Sequence, residues 1–423
     1  MESLFQKLSV IMHDASLRRR IFYIFFILLL FRVGANIPVP GVDIIRLQEF
    51  FANNQFLGLL NVFSGGGLSN LSIVMLGLGP YITGSIIMQL ITIMSPKLKA
   101  MYHEEGELGK KKFNQYSRLL TVPLALLQGF GLLTLLERQG ILTYTSLFDK
   151  SLDIVVVVAG AVLLMWLGEL LTEYGIGNGV SLLIFAGIVS RLPTIISQLA
   201  FTFDVSQIPM YLGFAAVSIM IIAGVVFITE SERPIPVTYA KRIRGNKVYG
   251  GVSTYLPLRV NQAGVIPIIF ALSILLFPQM IANFVANVSN PIVQTISKMV
   301  LSILQNHWIY ASLYFILVFL FTYFYTAITF DPETMASNLQ KNGAFIPGVR
   351  PGHMTSEYVG NILNRITFVG ALFLGIIAVL PLAMQGLTGV SSFAIGGTAL
   401  LIVVSVVLDL VKKVDAQIAM REY

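Results

Sequence analysis

Catalysis needs nucleophiles, proton carriers or ligands at workable spacing, and this 423-residue chain offers few. Its four histidines, His13, His103, His307 and His353, are scattered over the N-terminus and loops. No pair has metal-ligand spacing, and H-E-x-x-H is absent. Cysteine is absent too, which removes disulfide and thiol chemistry. There is no G-x-S-x-G elbow. Gly106-Glu107-Leu108-Gly109-Lys110 comes nearest to a phosphate loop, but its length is wrong and no Ser or Thr follows the lysine. Gly175-Ile176-Gly177-Asn178-Gly179 lacks dinucleotide spacing and reads as a tight turn between two apolar segments. Glu169, Glu173 and Asp409 lie toward the ends of apolar windows, and Asp153 lies at a boundary. An ion-coupled transporter usually keeps carboxylates near the membrane midplane. Their lack disfavours proton or sodium coupling, although backbone carbonyls can also bind ions. No catalytic, cofactor or metal site is expected, so any work needing ATP or GTP must be supplied by a partner.

The elements that would position any site are membrane spans. The chain is 56% hydrophobic and only 12% charged, half the charge of an ordinary soluble protein. Apolar windows near residues 21–36, 71–94, 119–136, 153–171, 180–199, 209–229, 262–284, 308–329, 366–385 and 394–411 predict transmembrane helices. Arg18-Arg19-Arg20 before Ile21 to Phe31 has the look of a signal peptide, but Ala35-Asn36-Ile37-Pro38 is a poor cleavage site. A retained first span is expected. With the N-terminus inside, every lysine and arginine falls on the cytoplasmic side except Arg32, Arg46, Arg138, Lys150, Arg191 and Lys298. The net charge of +7 therefore sets topology rather than binding DNA.

The fold class expected is an all-α polytopic membrane protein with ten transmembrane helices in two five-helix halves, 1–200 and 209–423. An odd count per half requires the halves to be inverted, and residues 201–208 would hinge them. Before the second span, Ser64-Gly65-Gly66-Gly67 is too short and polar to cross, and predicts a re-entrant segment dipping into a cavity. Two loops are longer than a connection requires. In 230–261, Gly245-Asn246 between β-prone runs predicts a hairpin. In 330–365, Asp331-Pro332-Glu333 predicts a helix start and Gly343 its stop, with a second short helix from Thr355-Ser356-Glu357. Between them, the turns of Phe345 to Gly352 hold Arg350 in place as a docking contact.

Ile82 and Ile86, Ile184 and Ile188, Ile269, and Ile402 lie about mid-span in four windows, each pair on one helix face. Isoleucine is common in transmembrane helices, so residue chemistry alone favours ordinary span composition. The alternative is a pliable apolar constriction that stops ions by dewetting.

Seven stretches stand out: Ile37-Pro38-Val39-Pro40-Gly41, Phe63 to Ser69, Pro80-Tyr81-Ile82, Gly175 to Gly179, Val260 to Pro267, Phe345 to Gly352, and Gly396-Gly397-Thr398. Together they closely resemble the SecY family, the central subunits of the bacterial protein-conducting channel. The resemblance implies that residues 61–72 form a plug helix, including Phe63, Ser64, Gly65, Gly66, Gly67, Leu68, Ser69 and Asn70. It implies that the six isoleucines ring the pore. The second and third spans would face the seventh and eighth as a lateral gate, with Gln89 and Gln128 on it, although interhelical hydrogen bonding serves equally well for both. Lys241, Arg242, Arg244, Lys247 and Arg350 would dock a SecA motor or the ribosome. SecE and SecG subunits, nascent chains and signal peptides are the other implied partners. The location implied is the inner or plasma membrane, with both termini cytoplasmic. A small-solute transporter and an intramembrane enzyme are the rival classes.

Overall fold

The computed structural model describes residues 13–42, 47, 61, 64–103, 105–144, 146–190, 193, 197, 208–240, 242–244, 247–249, 253–285, 291–388 and 392–419. Helices dominate. In order they are α1 (Ala15–Gly34), α2 (Gly79–Met94), α3 (Pro96–His103), α4 (Gly106–Arg138), α5 (Leu147–Tyr174), α6 (Gly179–Val189) and α7 (Ile208–Glu230). Four strands follow: β1 (Glu232–Tyr239), β2 (Arg242–Arg244), β3 (Lys247–Tyr249) and β4 (Ser253–Arg259). The remainder is α8 (Ile266–Val285), α9 (Pro291–Gln305), α10 (His307–Thr329), α11 (Pro332–Lys341), β5 (Ala344–Phe345), α12 (His353–Thr388) and α13 (Ser392–Ala419). Among the described residues α4, α5, α7, α10 and α12 are long and apolar enough to cross a membrane. The other apolar windows hold α1, α2, α6, α8 and α13. The expected hinge at 201–208 lies outside the described residues except for Ile208, the first residue of α7.

Local signals explain several helix ends. Asp14 caps α1 by accepting from the Ser16 and Leu17 amides at 2.7 and 3.3 Å. The glycine turn expected between two spans separates α5 from α6. Gly177 takes φ +91 and Asn178 caps α6, while the Thr172 hydroxyl accepts from the Gly179 amide at 2.9 Å. A Cβ at Gly179 would stand 2.1 Å from the Gly168 carbonyl oxygen, so only glycine fits. Asp331 caps α11, with Pro332 in its first turn and Gly343 at φ +67 beyond its end, as the sequence predicts.

Two expectations change. The second span does not begin at Leu71: residues 71–78 are turns apart from a bridge at Ser72, and α2 starts only at Gly79. Gly77 at φ +58 and Pro80 in the first turn set that start. The short helix expected from Thr355 is not separate, because α12 runs unbroken from His353 into the ninth span. No proline interrupts it before Pro381, so the hydrogen-bond ladder continues. A further helix, α9, lies between the seventh and eighth apolar windows.

The long loops are not separate arms. β1 pairs antiparallel with β4 from Glu232↔Arg259 to Thr238↔Ser253, and on its other edge with β5 through Thr238↔Phe345 and Tyr239↔Ala344. Ile235, Val237 and Leu258 from the first loop are buried with Ala344, Ile346, Val359, Ile362 and Ile366 from the second. The predicted hairpin sits beyond this sheet as β2–β3, registered Arg244↔Lys247. The chain is therefore not purely helical. The start of α1 and the end of α13 meet at the same end of the bundle: Leu17 of α1 and Ile418 of α13 pack on Ile176. There Lys412 reaches Glu230 at 3.0 Å, next to the start of β1.

Candidate functional site

All six isoleucines picked from the sequence are buried, none more than 6% exposed, and all belong to one apolar cluster. They come from four helices: Ile82 and Ile86 from α2, Ile184 and Ile188 from α6, Ile269 from α8 and Ile402 from α13. Contacts between the N- and C-terminal helices run from α8 to α2 and α4, and from α13 to α6. The isoleucines thus lie on helices through which the N- and C-terminal parts of the chain touch. The same cluster contains Phe31, Leu78 and Phe270, so it is a continuous apolar body. Such a lining offers no hydrogen bonds to replace an ion's hydration shell.

The glycine-rich segment is folded against this body. Asn61 is helical, and described residues 64–78 are turns apart from a bridge between Ser72 and Pro38, so no helix runs through 64–72; Phe63 lies outside the described residues. Polar side chains tie the turns together. The Asn61 Oδ1 accepts from the Ser69 amide at 3.0 Å, and the Ser64 hydroxyl accepts from the Leu68 amide at 3.0 Å. The segment is also bound to the stretch after α1. Val39 and Ile73 amides donate to the Leu71 and Ile37 carbonyls at 2.8 and 3.0 Å, and Asn70 donates to Asn36 at 3.3 Å. Leu68 and Leu71 bury their side chains with Val39, Met75 and Leu133.

Backbone meets backbone at Gly65. A Cβ there would stand 2.2 Å from the Phe31 ring and 3.1 Å from the Gly187 Cα. One at Gly187 would stand 2.4 Å from the Gly65 Cα. Gly187 precedes Ile188 on α6, so the segment touches the helix that carries two of the six isoleucines. A third close approach pins its far end, where a Cβ at Gly160 would stand 2.0 Å from the Ile73 carbonyl oxygen. Sequence reasoning missed Phe31, Gly160 and Gly187. The available signal was the mid-helix glycine at 187, between Ile184 and Ile188.

The expected gate residues occupy different surroundings. Gln89 is half-buried on α2, and its amide nitrogen donates to Ser85 of the same helix at 3.2 Å. Its buried Oε1 has no hydrogen-bond partner among the described residues. Gln128 is buried on α4 beside the start of α2, its Oε1 3.7 Å from where a Gly79 Cβ would be. The structure does not bring the two amides together. Beyond α2, α3 packs on α4 so closely that a Cβ at Gly109 would stand 1.9 Å from the Met101 carbonyl oxygen. This accounts for Gly106 to Lys110 as a helix start rather than a phosphate loop. Tyr102 of α3 meets Phe113 edge-on at 4.9 Å, and burial raises its phenol above the usual range, keeping it neutral.

The basic residues separate into two sites. Arg350 is exposed at the tip of a turn between Gly348 (φ +84) and Gly352 (φ +99). The Thr355 hydroxyl donates to the Arg350 carbonyl at 2.9 Å, which fixes the backbone from which the guanidinium projects. Arg242 and Arg244 lie on β2 and Lys247 on β3, while Lys241 lies outside the described residues. Among the described residues no group of three His, Asp or Glu gathers as a metal site would require.

These features define a class: a multi-pass helical membrane protein with one large buried apolar cluster drawn from N- and C-terminal helices, and a turn-rich segment folded against it. The family model for SecY matches residues 72–411. The protein translocase subunit SecY of Corynebacterium glutamicum is 44% identical over 97% of both chains. The chain therefore belongs to the SecY family. Two solved structures share the fold. One is of a SecY channel whose plug domain is described as stabilising the closed state and maintaining a membrane seal. It has TM-score 0.65 and 19% identity over 95% of this chain and 93% of that one. The other is Sec61 in the canine ribosome–channel complex from the endoplasmic reticulum, with TM-score 0.63 and 16% identity over the same shares.

Proposed function

We propose that this chain is the protein-conducting channel of a bacterial inner membrane, passing unfolded polypeptides across and releasing transmembrane segments sideways. The observation that carries this reading is the contact of Gly65 with Gly187, beside six isoleucines buried in one cluster on the helices that join the halves. Ten spans form two inverted halves, with both termini and the sheet in the cytoplasm. The isoleucines are the pore ring, and residues 61–72 are the plug. The meeting of α2 and α4 with α8 is the lateral gate, closed in this state. An apolar signal sequence opens it because the open form binds that segment better.

The channel performs no chemistry of its own. A soft apolar waist contacts any side chain weakly and without direction, which suits a substrate of arbitrary sequence. Energy comes from a SecA motor or the ribosome, docked on Arg350 and the β2–β3 hairpin. SecE and SecG complete the assembly. The joined sheet supports this docking role, since the turn bearing Arg350 and the hairpin grow from one buried core.

The test is reconstitution of the full chain with its partner subunits and motor in vesicles, offered a secretory precursor or a set of small solutes. Protease-protected precursor without solute uptake is the expected result. Solute accumulation with no precursor protected would refute the reading in favour of a secondary transporter.

A further inference from the structure

The amphipathic helix α9 has three faces, and their order around the helix is informative. At 3.6 residues per turn, Ile292, Ile296, Met299 and Ile303 fall within about 60° of arc. All four are exposed, at 69, 57, 63 and 39%. To one side, Leu304 is buried in the main core with Val300 packed against it, and Ser297 is buried as well. The Ser297 hydroxyl donates to the Val293 carbonyl of its own helix at 2.9 Å, so this polar residue enters the protein face satisfied. To the other side lie Thr295, Lys298 and Ser302, all exposed. The apolar stripe is thus flanked by the protein face and the polar face, each about 100° away at this helical pitch.

The chain fixes the depth of α9. Only Asn306 separates it from α10, whose first turn it caps by accepting from the Trp308 and Ile309 amides at 3.1 and 3.4 Å. α10 is long and apolar enough to cross a membrane, and its other end leads through α11 into the sheet. So α9 lies at the bundle end opposite the sheet, level with the start of a span. Trp308 is 62% exposed there, an interface residue by type. The exposed Ile309, Leu313, Ile316 and Leu320 continue the apolar surface down α10.

We propose that α9 lies in the plane of the outer membrane–water interface, with Ile292, Ile296, Met299 and Ile303 inserted among lipid acyl chains. Lys298 and Ser302 face the headgroups and water, and Val300 and Leu304 hold the helix to the bundle. Three faces in this order match three surroundings: protein on one side of the helix, water on the opposite side and bilayer against the face between them. The occupant is lipid because the stripe continues onto the lipid-facing side of α10. The helix would anchor the seventh and eighth spans at the bilayer surface, independently of how transport is driven.

The cysteine-free chain allows single-cysteine variants of the full protein. Each of Ile296→Cys, Met299→Cys, Lys298→Cys and Ser302→Cys is labelled with bimane in vesicles of phosphatidylcholine and phosphatidylglycerol. Leu320→Cys serves as lipid standard and Lys341→Cys as water standard. Labels at 296 and 299 are expected to be quenched severalfold more by nitroxide lipid than by iodide, with the reverse at 298 and 302. Iodide quenching at 296 and 299 equal to the Lys341 standard would overturn the proposal, whether the stripe is bare or awaits a protein. Lipid quenching at all four positions would overturn it equally, since the helix would then be embedded rather than interfacial.

Discussion

Replacing Gly65 with alanine should unseat the proposed plug, and the structure sets the size of the effect. The new Cβ would lie 2.2 and 2.9 Å from two Phe31 ring atoms and 3.1 Å from the Gly187 backbone. Overpacking of this kind costs about 1–3 kcal/mol. Gly65 also sits at φ +64, a left-handed conformation that costs an L-residue roughly 1–2 kcal/mol. A displaced plug makes neither contact and frees the backbone, so both costs fall on the seated state alone. Together they shift the ratio of displaced to seated plug by roughly 30-fold to a few thousand-fold. The assay is resting ion conductance of the reconstituted channel in planar bilayers, with folding checked by resistance to protease. Gly187→Ala attacks the same contact from the α6 side and should leak as well. Gly131→Ala is the control, because nothing lies within 4 Å of a Cβ there. Pairing Gly65→Ala with Phe31→Ala should restore part of the seal, a non-additivity expected only of residues in contact. A folded Gly65→Ala channel with wild-type resting conductance refutes the reasoning.

Three further outcomes are expected. Changing several ring isoleucines, such as Ile86, Ile184 and Ile402, to glycine should raise ion leak while precursor translocation partly survives, and an unchanged resting conductance would count against the ring. Arg350→Glu should weaken binding of motor or ribosome at least several-fold without altering thermal stability, since the side chain is exposed; sedimentation binding assays with both partners read this directly. Ile235→Ala removes a side chain that is 2% exposed in the sheet core and should cost about 2–4 kcal/mol locally. Because β1 joins the two loops, protease sensitivity should rise in both 230–261 and 330–365, whereas cleavage confined to the first loop would separate them.

Much of this protein is local and therefore legible in the chain. Long apolar windows mark the membrane helices because backbone polar groups in lipid must bond within their own segment. The Asp331 cap, the turn at Gly175 to Gly179 and the hairpin across Gly245-Asn246 depend on residues only a few positions apart. The isoleucines could be picked by helical spacing, but their burial together could not be read from it. Contact between Gly65 and Gly187 was decided by tertiary packing alone, as glycine in sequence says only that the backbone is free to approach something. The same holds for the start of α2 at Gly79: Leu71 to Leu78 is as apolar as a span, yet its backbone bonds turn to turn and to the strand-like stretch after α1. The pairing of β1 with β5 joins loops on either side of three helices, and no short-range pattern encodes it. Composition and periodicity state which groups must leave water, while the partner each one finds there is settled by how the whole chain closes.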